Sequence, residues 1–211
     1  MQKQKFFTVK RLSFIAIFAA LAVVFYSFIP KIKLPIFPPF LEINFSMIPI
    51  LICAFMMGPI DATVCVVIRF LVKLPMSSTG FVGELADVLI ALPVVIAVGL
   101  IYHHTTLKRK TLLSLVSVVV IWVLMGVITN AFINIPFYSE FYAGGMEMIV
   151  GACGDAFKVI SGGAIQDVSV DNFMFYYLLC AVIPFNLLLS LIVVVITLPI
   201  HHRLKVLYDR L

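Results

Sequence analysis

The chain has 211 residues, of which 63% are hydrophobic and 12% are charged, and its mean hydropathy is +1.18. Soluble globular domains contain about 45–50% apolar residues, so this composition excludes a soluble protein and indicates an integral membrane protein. The net charge of +5 does not predict nucleic-acid binding, because the basic residues lie at the ends of the apolar segments, where membrane topology places them.

Six apolar segments are predicted to cross the lipid bilayer as helices, since a spanning helix needs about 20 residues. The second and third are short, so we expect them to tilt or to be shielded by neighbouring protein. The predicted fold is an all-α integral membrane protein, a six-helix bundle that forms one membrane domain over residues 1–211. The six predicted spans are 11–29, 46–57, 60–74, 81–102, 112–133 and 173–200.

Two connections between these spans have unusual compositions. Residues 31–44 are rich in proline, which ends helices and favours extended structure. Residues 134–172 form the longest weakly apolar segment and are rich in glycine. We predict an outer loop there, with one short helix at Met146–Ile160, where apolar residues recur at helical spacing. A loop of that length is usually functional or disordered.

The distribution of lysine and arginine predicts that both termini are cytoplasmic. The outer loop 134–172 would then be the first segment to meet a substrate that arrives from outside. Four basic residues fall on the outer side, namely Lys31, Lys33, Lys73 and Lys158. Ten are assigned to the cytoplasmic side, namely Lys3, Lys5, Lys10, Arg11, Lys108, Arg109, Lys110, Arg203, Lys205 and Arg210.

Charged residues inside predicted spans are costly in a bilayer and therefore mark candidate functional positions. They are Asp61, Arg69, Glu84 and Asp87. Glu84 and Asp87 share one helix face because they are three residues apart. Two interpretations stay equal: a polar pocket in which Arg69 neutralises one carboxylate while the others bind a ligand, or a structural ion pair without a ligand. Asp61 follows Gly58-Pro59, so we predict that it caps the third helix.

Two asparagines inside the spans are candidate hydrogen-bonding groups for a ligand. Asn130 lies near the outer end of the fifth span, and Asn186 follows Pro184 in the sixth. A proline inside a helix leaves a backbone carbonyl available to a ligand or side chain. The alternative is hydrogen bonding between helices, worth about 1 kcal/mol in membrane proteins.

The sequence contains no motif of a catalytic or metal centre. We predict no disulfide, metal site or cofactor, because the cysteines lack metal-ligand spacing and the histidines flank helix ends. An intramembrane enzyme would need paired catalytic groups, and Glu84 and Asp87 have no nucleophile or metal beside them. A stand-alone carrier would need a continuous polar path, whereas the polar residues cluster toward one side. The cysteines are Cys53, Cys65, Cys153 and Cys180, and the histidines are His103, His104, His201 and His202.

The first span carries small residues at helical spacing. Ala16 and Ala20 form a small-xxx-small pattern, and Ala19 and Ala22 are predicted to widen the same smooth surface. Such a surface lets another helix approach closely. The pattern alone is weak evidence, because alanine pairs are common in apolar helices.

Several short motifs occur together along nearly the whole chain. They are Pro38-Pro39-Phe40-Leu41, Asn44-Phe45-Ser46 with Ile48-Pro49, Gly58-Pro59, Gly83-Glu84-Leu85-Ala86, Asn130 with Pro136 and Tyr138, and Pro184-Phe185-Asn186. In this combination the sequence resembles the substrate-binding S-components of energy-coupling factor (ECF) vitamin transporters, and most of all the riboflavin type.

The resemblance implies a six-helix bundle in the cell membrane of a prokaryote that captures a vitamin from outside. It also implies docking through Ala16 and Ala20 onto a transmembrane coupling subunit that is driven by two ATPase subunits. ATP would be used by those partners and not by this chain. The proline-rich connection and the glycine-rich outer segment would form a gate over the pocket.

The substrate site implied by the resemblance consists of Phe40, Leu41, Asn44, Arg69, Glu84, Asp87, Asn130 and Asn186. The predicted substrate is riboflavin or a related water-soluble vitamin, since amides and an aromatic face suit a planar heteroaromatic ligand.

This sequence departs from the riboflavin type at four positions. That type usually has Asp at Met47, Lys at Arg69, Asn at Asp87 and Lys at Leu189. An anionic vitamin such as pantothenate could use Arg69, and a cationic or pyrimidine-like vitamin could use Asp87. Pantothenate, pyridoxine and hydroxymethylpyrimidine therefore stay as alternative substrates, and a stand-alone secondary carrier stays as a less favoured function.

Overall fold

The computed structural model describes residues 8–28, 32–77, 79–107, 109–141, 143–163 and 168–210, with the side chains of Asp155 and residues 205–210 left undescribed. Four basic residues that entered the orientation prediction, Lys3, Lys5, Lys31 and Lys108, lie outside the described residues.

Helices make up most of the described chain, and two of them change from α to π geometry along their length. The first half contains α1 (Val9–Ser27), α2 (Met47–Met57), α3 (Pro59–Lys73), a 3₁₀ turn (Leu74–Met76) and α4 (Val82–His104). α5 (Lys110–Thr129) runs through a first π segment (Asn130–Asn134) into α6 (Ile135–Phe141). After α7 (Gly145–Ile160), α8 (Val170–Tyr176) runs through a second π segment (Tyr177–Val182) into α9 (Ile183–Arg210).

The proline-rich connection forms a small hairpin. Its strands β1 (Ile32–Lys33) and β2 (Glu42–Ile43) pair antiparallel, with Ile32 opposite Ile43 and Lys33 opposite Glu42. The prolines between the strands cannot donate backbone hydrogen bonds, which agrees with the shortness of this ladder. The hairpin leads directly into α2.

α2 occupies the centre of the bundle. Ten of its eleven residues are buried, and α1, α3, α4 and α9 all pack against it. Gly58 makes the reversal into α3 with a φ of +105°, a conformation that residues with a Cβ rarely adopt. A Cβ on Gly99 of α4 would lie 2.5 Å from the Pro59 nitrogen, so α4 approaches this turn closely.

Among the described residues, four helical stretches are long and apolar enough to cross a membrane: α1, α4, residues Lys110–Phe141 and residues Val170–Leu204. The predicted count of six spans is therefore not confirmed. α2 has 11 residues and α3 has 15, which is shorter than the roughly 20 residues that a bilayer requires. The burial of α2 shows that neighbouring helices, rather than lipid, surround it.

Residues 134–172 differ from the predicted loop, because most of the described part is helical. α7 contains the expected short helix, and glycines with positive φ lie at both of its ends, Gly144 before it, Gly145 as its first residue, and Gly162 and Gly163 after it. Phe157 of α7 packs edge-on against Phe173 of α8, with ring centroids 5.9 Å apart. The glycines therefore mark the ends of a packed helix.

Asp61 does not cap α3, so that prediction was wrong. Gly58 occupies the N-cap position, and the Asp61 carboxylate pairs with Arg11 of α1. Arg11 Nη2 lies 2.8 Å from Asp61 Oδ1, and Arg11 Nε donates to both carboxylate oxygens at 2.8 and 2.9 Å. The carboxylate thus joins α1 to α3.

The small residues of α1 point in two directions. Ala16 and Ala20 are exposed, whereas Ala19 and Ala22 are buried. The prediction that all four alanines share one surface was therefore wrong. Ala19 and Ala22 face the bundle, where the Cys65 thiol of α3 lies 3.6 Å from the Ile15 carbonyl oxygen.

Candidate functional site

All eight residues that the sequence assigned to the substrate site line one cavity. Phe40, Leu41 and Asn44 come from the proline-rich connection, and Asn130 comes from the first π segment. Arg69 comes from α3, Glu84 and Asp87 from α4, and Asn186 from α9. The cavity volume is about 150 Å³.

Further residues line the same cavity that the sequence did not assign to the substrate site. Two of them, Met47 and Leu189, are positions where the chain departs from the riboflavin type, and both present apolar side chains. The others are Tyr26, Glu42, Thr79, Gly83, Ala86, Ile90, Ala91, Trp122, Asn134, Tyr138 and Phe185. Trp122 could have been recognised as a candidate from the sequence, because it is the only tryptophan of the chain and lies in the middle of an apolar span.

Glu84 is held by groups of the α3–α4 turn and not by Arg69. Lys73 Nζ lies 3.6 Å from Glu84 Oε1, and the hydroxyls of Ser77 and Thr79 donate to Glu84 Oε2 at 2.7 and 2.9 Å. The Lys73 ammonium also lies 2.8 Å from the centre of the Tyr26 ring. Lys73 was expected at an outer helix end, but it is only 6% exposed, so it is the missed partner of this carboxylate.

Arg69 is also buried, and it is held beside the connection. Its Nη1 donates to Ser46 Oγ at 2.7 Å, and Ser46 Oγ donates to Asn44 Oδ1 at 2.7 Å. Asp87 attracts both Arg69 and Lys73 electrostatically. The sequence predicted that Arg69 neutralises one of two carboxylates, Glu84 or Asp87. Of these two, Asp87 is the one that attracts Arg69.

The charged wall of the cavity is formally neutral. Four of the described charged residues line the cavity, and cations behind the lining complete the balance: Arg69 and the non-lining Lys73 offset Glu84 and Asp87, and Glu42 pairs with Lys33 at 3.2 Å. Buried charges are tolerated when they are paired. This wall can therefore exist without a charged ligand, and it favours an occupant with no net charge.

A second part of the lining, the amide wall, consists of Asn130 and Asn186. Asn130 Nδ2 donates to the Gly126 carbonyl at 2.8 Å, and Asn186 Nδ2 donates to the Val182 carbonyl at 2.8 Å. A Cβ on Gly126 would lie 2.7 Å from Asn186 Cγ. Gly126 therefore provides the space that the Asn186 side chain occupies and holds Asn130 through its carbonyl oxygen.

The two π segments meet beside this amide wall. The Tyr177 hydroxyl of the second segment donates to Asn130 Oδ1 of the first at 2.7 Å. π geometry is rare and is frequently found at functional sites. This bond holds the Oδ1 end of the Asn130 amide, whereas the Gly126 carbonyl of its own helix holds the Nδ2 end.

Aromatic side chains anchor the connection over the cavity. The Phe40 ring lies 6.2 Å from the Tyr138 ring and 5.8 Å from the Tyr177 ring, measured between centroids. Phe37 packs edge-on against Phe185 at 5.3 Å. Both segments expected to gate the pocket contribute to the cavity lining, the connection through Phe40, Leu41 and Asn44 and the segment 134–172 through Asn134 and Tyr138, whereas no described residue of α7 lines it.

Among the described residues, no group of three or more His, Cys, Asp or Glu side chains is arranged to hold a metal ion. The described part of the cavity thus offers amides, aromatic rings and paired charges. These groups can recognise an organic ligand by hydrogen bonding and ring packing.

Comparisons with known proteins point to one family. The family "ECF transporter, substrate-specific component" matches residues 10–201. The chain is 25% identical over 166 residues to the riboflavin transporter RibU of Staphylococcus aureus (strain TCH60), covering 76% of this chain and 87% of that protein. Its fold is similar to the solved S component of a bacterial ECF transporter, with a TM-score of 0.66, 22% identity, and coverage of 92% of this chain and 95% of the other.

Proposed function

The chain belongs to the family of ECF-transporter substrate-specific components, and from this membership we propose that it captures a water-soluble vitamin outside the cell for an ATP-driven coupling module. It is a multi-pass membrane protein of a prokaryote and a member of a transport family. The proposed orientation has both termini in the cytoplasm. ATP would be consumed by partner subunits, and the chain itself would need no cofactor.

Riboflavin or a related flavin is the substrate that the site favours most. The observation that carries this proposal is that a charge-balanced wall and an amide wall line one cavity. Riboflavin is uncharged and planar, and its ring edge offers hydrogen-bond donors and acceptors that amides can match. Trp122, Phe40 and Tyr138 provide ring faces for packing. The similarity to a riboflavin transporter points the same way.

A vitamin with a single ring is the second candidate, and the size of the cavity favours it. Ligand pockets usually measure about 300–1,000 Å³, whereas this cavity has a volume of about 150 Å³. Pyridoxine or hydroxymethylpyrimidine would need less widening than a flavin. A flavin would require the connection that carries Phe40 to move outward.

Delivery would use the exposed face of α1. Ala16 and Ala20 lie on that face, and their small side chains would let a helix of the coupling subunit approach closely. We propose this face as the docking surface, with a transmembrane coupling subunit and two ATPase subunits as partners.

Purification in mild detergent without added vitamins, followed by mass spectrometry of the bound small molecules, tests the proposal. The protein is then titrated with riboflavin, pyridoxine, hydroxymethylpyrimidine and pantothenate. Trp122 reports occupancy, because it lines the cavity and no other tryptophan occurs in the sequence. Saturable quenching by riboflavin alone supports the flavin, saturable quenching by a one-ring vitamin supports the second candidate, and no response to any vitamin contradicts both. A Trp122→Phe variant should lose the signal, which shows that the signal comes from Trp122 and not from the tyrosines.

A further inference from the structure

Asn134 is a cavity residue that the sequence assigned to the outer loop. It ends the first π segment and lines the cavity. Its Nδ2 donates to Asn130 Oδ1 at 3.2 Å. Its Oδ1 is buried and has no hydrogen-bond partner among the described residues. Native proteins leave few buried polar atoms unsatisfied, so this oxygen needs an explanation.

The surrounding hydrogen bonds fix which end of the Asn134 amide is the unsatisfied one. The Gly126 carbonyl can only accept, so the Asn130 atom that contacts it must be Nδ2. Asn130 Oδ1 therefore faces Asn134, and it accepts from Asn134 Nδ2 and from the Tyr177 hydroxyl. Turning the Asn134 amide over would place two oxygens against each other.

Asn130 has little capacity left for a ligand. As an acceptor it is saturated, because its oxygen already accepts two hydrogen bonds, and its nitrogen donates one of its two N–H groups to the Gly126 carbonyl. The neighbouring Asn134 amide has an oxygen that accepts no hydrogen bond from the described residues. Asn130 orients the Asn134 amide through their hydrogen bond. Tyr177 and Gly126 in turn orient the Asn130 amide.

We propose, on the basis of the vitamin-binding function proposed above, that Asn134 Oδ1 accepts a hydrogen bond from an N–H group on the ring edge of the substrate. Asn130 is then a positioning residue. The substrate belongs to the heteroaromatic compounds that carry a ring N–H, as in an imide or a lactam. The imide N3–H of a flavin is such a donor, and a methyl group at N3 removes it.

The experiment compares dissociation constants for riboflavin and N3-methylriboflavin, measured with the purified full chain. The wild type should bind riboflavin at least roughly tenfold more tightly, which is the usual effect of one buried hydrogen bond. Asn134→Ala removes the acceptor and should bring the ratio of the two constants close to one. Asn134→Leu nearly conserves side-chain volume and favours helix, so it should give the same ratio in a well-folded protein.

Thr129→Val is the matched control. Thr129 precedes the same π segment, but its hydroxyl bonds to the Met125 carbonyl of its own helix at 2.8 Å. This variant should keep the wild-type ratio. The control separates the loss of a ligand contact from a general disturbance of this part of the helix.

The outcomes distinguish this inference from the proposed function. If riboflavin binds but both Asn134 variants keep the wild-type ratio, the inference is overturned and the flavin function stands. If riboflavin does not bind, the flavin proposal fails. The vitamin identified by mass spectrometry then replaces riboflavin. A vitamin without a ring N–H overturns the inference; one with a ring N–H is compared with its N-methyl analogue, where a ratio near one in both variants supports the role of Asn134 and an unchanged ratio overturns it.

Discussion

The Tyr177 hydroxyl donates a 2.7 Å hydrogen bond to Asn130 Oδ1, and each of these residues belongs to a π segment within a longer helix. Tyr177 is fully buried, so its hydroxyl depends on this bond for satisfaction. The bond connects the two helical stretches that supply the amide wall. The position of Asn130, and of the cavity edge beside it, therefore depends on a residue from another helix.

Tyr177→Phe removes that donor and keeps the ring. We expect a loss of about 1 kcal/mol in the free energy of unfolding, as for a typical hydrogen bond, together with weaker vitamin binding because Asn130 is less firmly held. Thermal unfolding in detergent and the Trp122 titration measure the two effects. Tyr176→Phe is the matched control and should change neither; equal effects in both variants would contradict the specific role of Tyr177.

Gly126→Ala should damage the amide wall. The added methyl group would overlap Asn186, whose Cγ would lie 2.7 Å away. Overpacking of this kind costs roughly 1–3 kcal/mol, and moving Asn186 should weaken vitamin binding. Gly151→Ala is the control, because a Cβ there meets nothing within 4 Å. Unchanged affinity in Gly126→Ala would argue against a close fit between the helices.

Lys73→Met should destabilise the protein by roughly 3 kcal/mol, because it leaves the buried Glu84 carboxylate without its cation. The double variant Lys73→Met with Glu84→Gln should recover part of that loss, since the uncompensated charge is gone. Unfolding in detergent measures both. Lys33→Met is the control: Lys33 pairs with Glu42, but its side chain is 61% exposed, so the cost should be below about 1 kcal/mol.

Ala16→Trp and Ala20→Trp test the proposed docking face. Both alanines are exposed on α1 and lie outside the cavity lining. A large ring there should block close helix approach, so vitamin uptake by cells should be lost while binding by the purified protein stays unchanged. Val120→Trp on α5, at a position that is 58% exposed, should leave uptake intact. Normal uptake in both alanine variants would exclude this face as the docking surface.

The sequence predicted which residues gather around the cavity because charge and amide groups are costly in lipid. Arg69, Glu84, Asp87, Asn130 and Asn186 occur in otherwise apolar helices, and such residues face the bundle interior. The resemblance to ECF S-components, now confirmed by the family match, added Phe40, Leu41 and Asn44 from the connection. These assignments did not depend on knowing which face of each helix points into the bundle.

The pairing of charges and the exact helix faces could not be predicted. Lys73 reaches Glu84 because the short turn after α3 folds back on the start of α4, with the Ser77 and Thr79 hydroxyls on the same carboxylate. On an ideal α-helix, the side chains of Tyr177 and Asn186 would point in directions about 180° apart around the helix axis. A π segment absorbs one extra residue, which reduces the separation to about 80°.

The same effect explains why Asn134 and Tyr138 were missed. The fifth span was predicted to end at residue 133, which placed both residues in a loop. The helix instead continues through the π segment to Phe141, and both residues line the cavity. An apolar pattern with a period of 3.6 residues carries no information about where an extra residue is inserted.

Because α2 lies at the centre of the bundle, a change in membrane thickness does not act on it directly. A helix that touches lipid must tilt or deform the bilayer when the hydrophobic thickness changes. α2 is buried by other helices over ten of its eleven residues, so such a change acts on the surrounding helices first. Ser46, which precedes α2 and bonds to Arg69, belongs to this protected core. The position of Ser46 at the start of α2 should therefore vary little between bilayers of different lipid chain length, even when the long outer helices change their tilt.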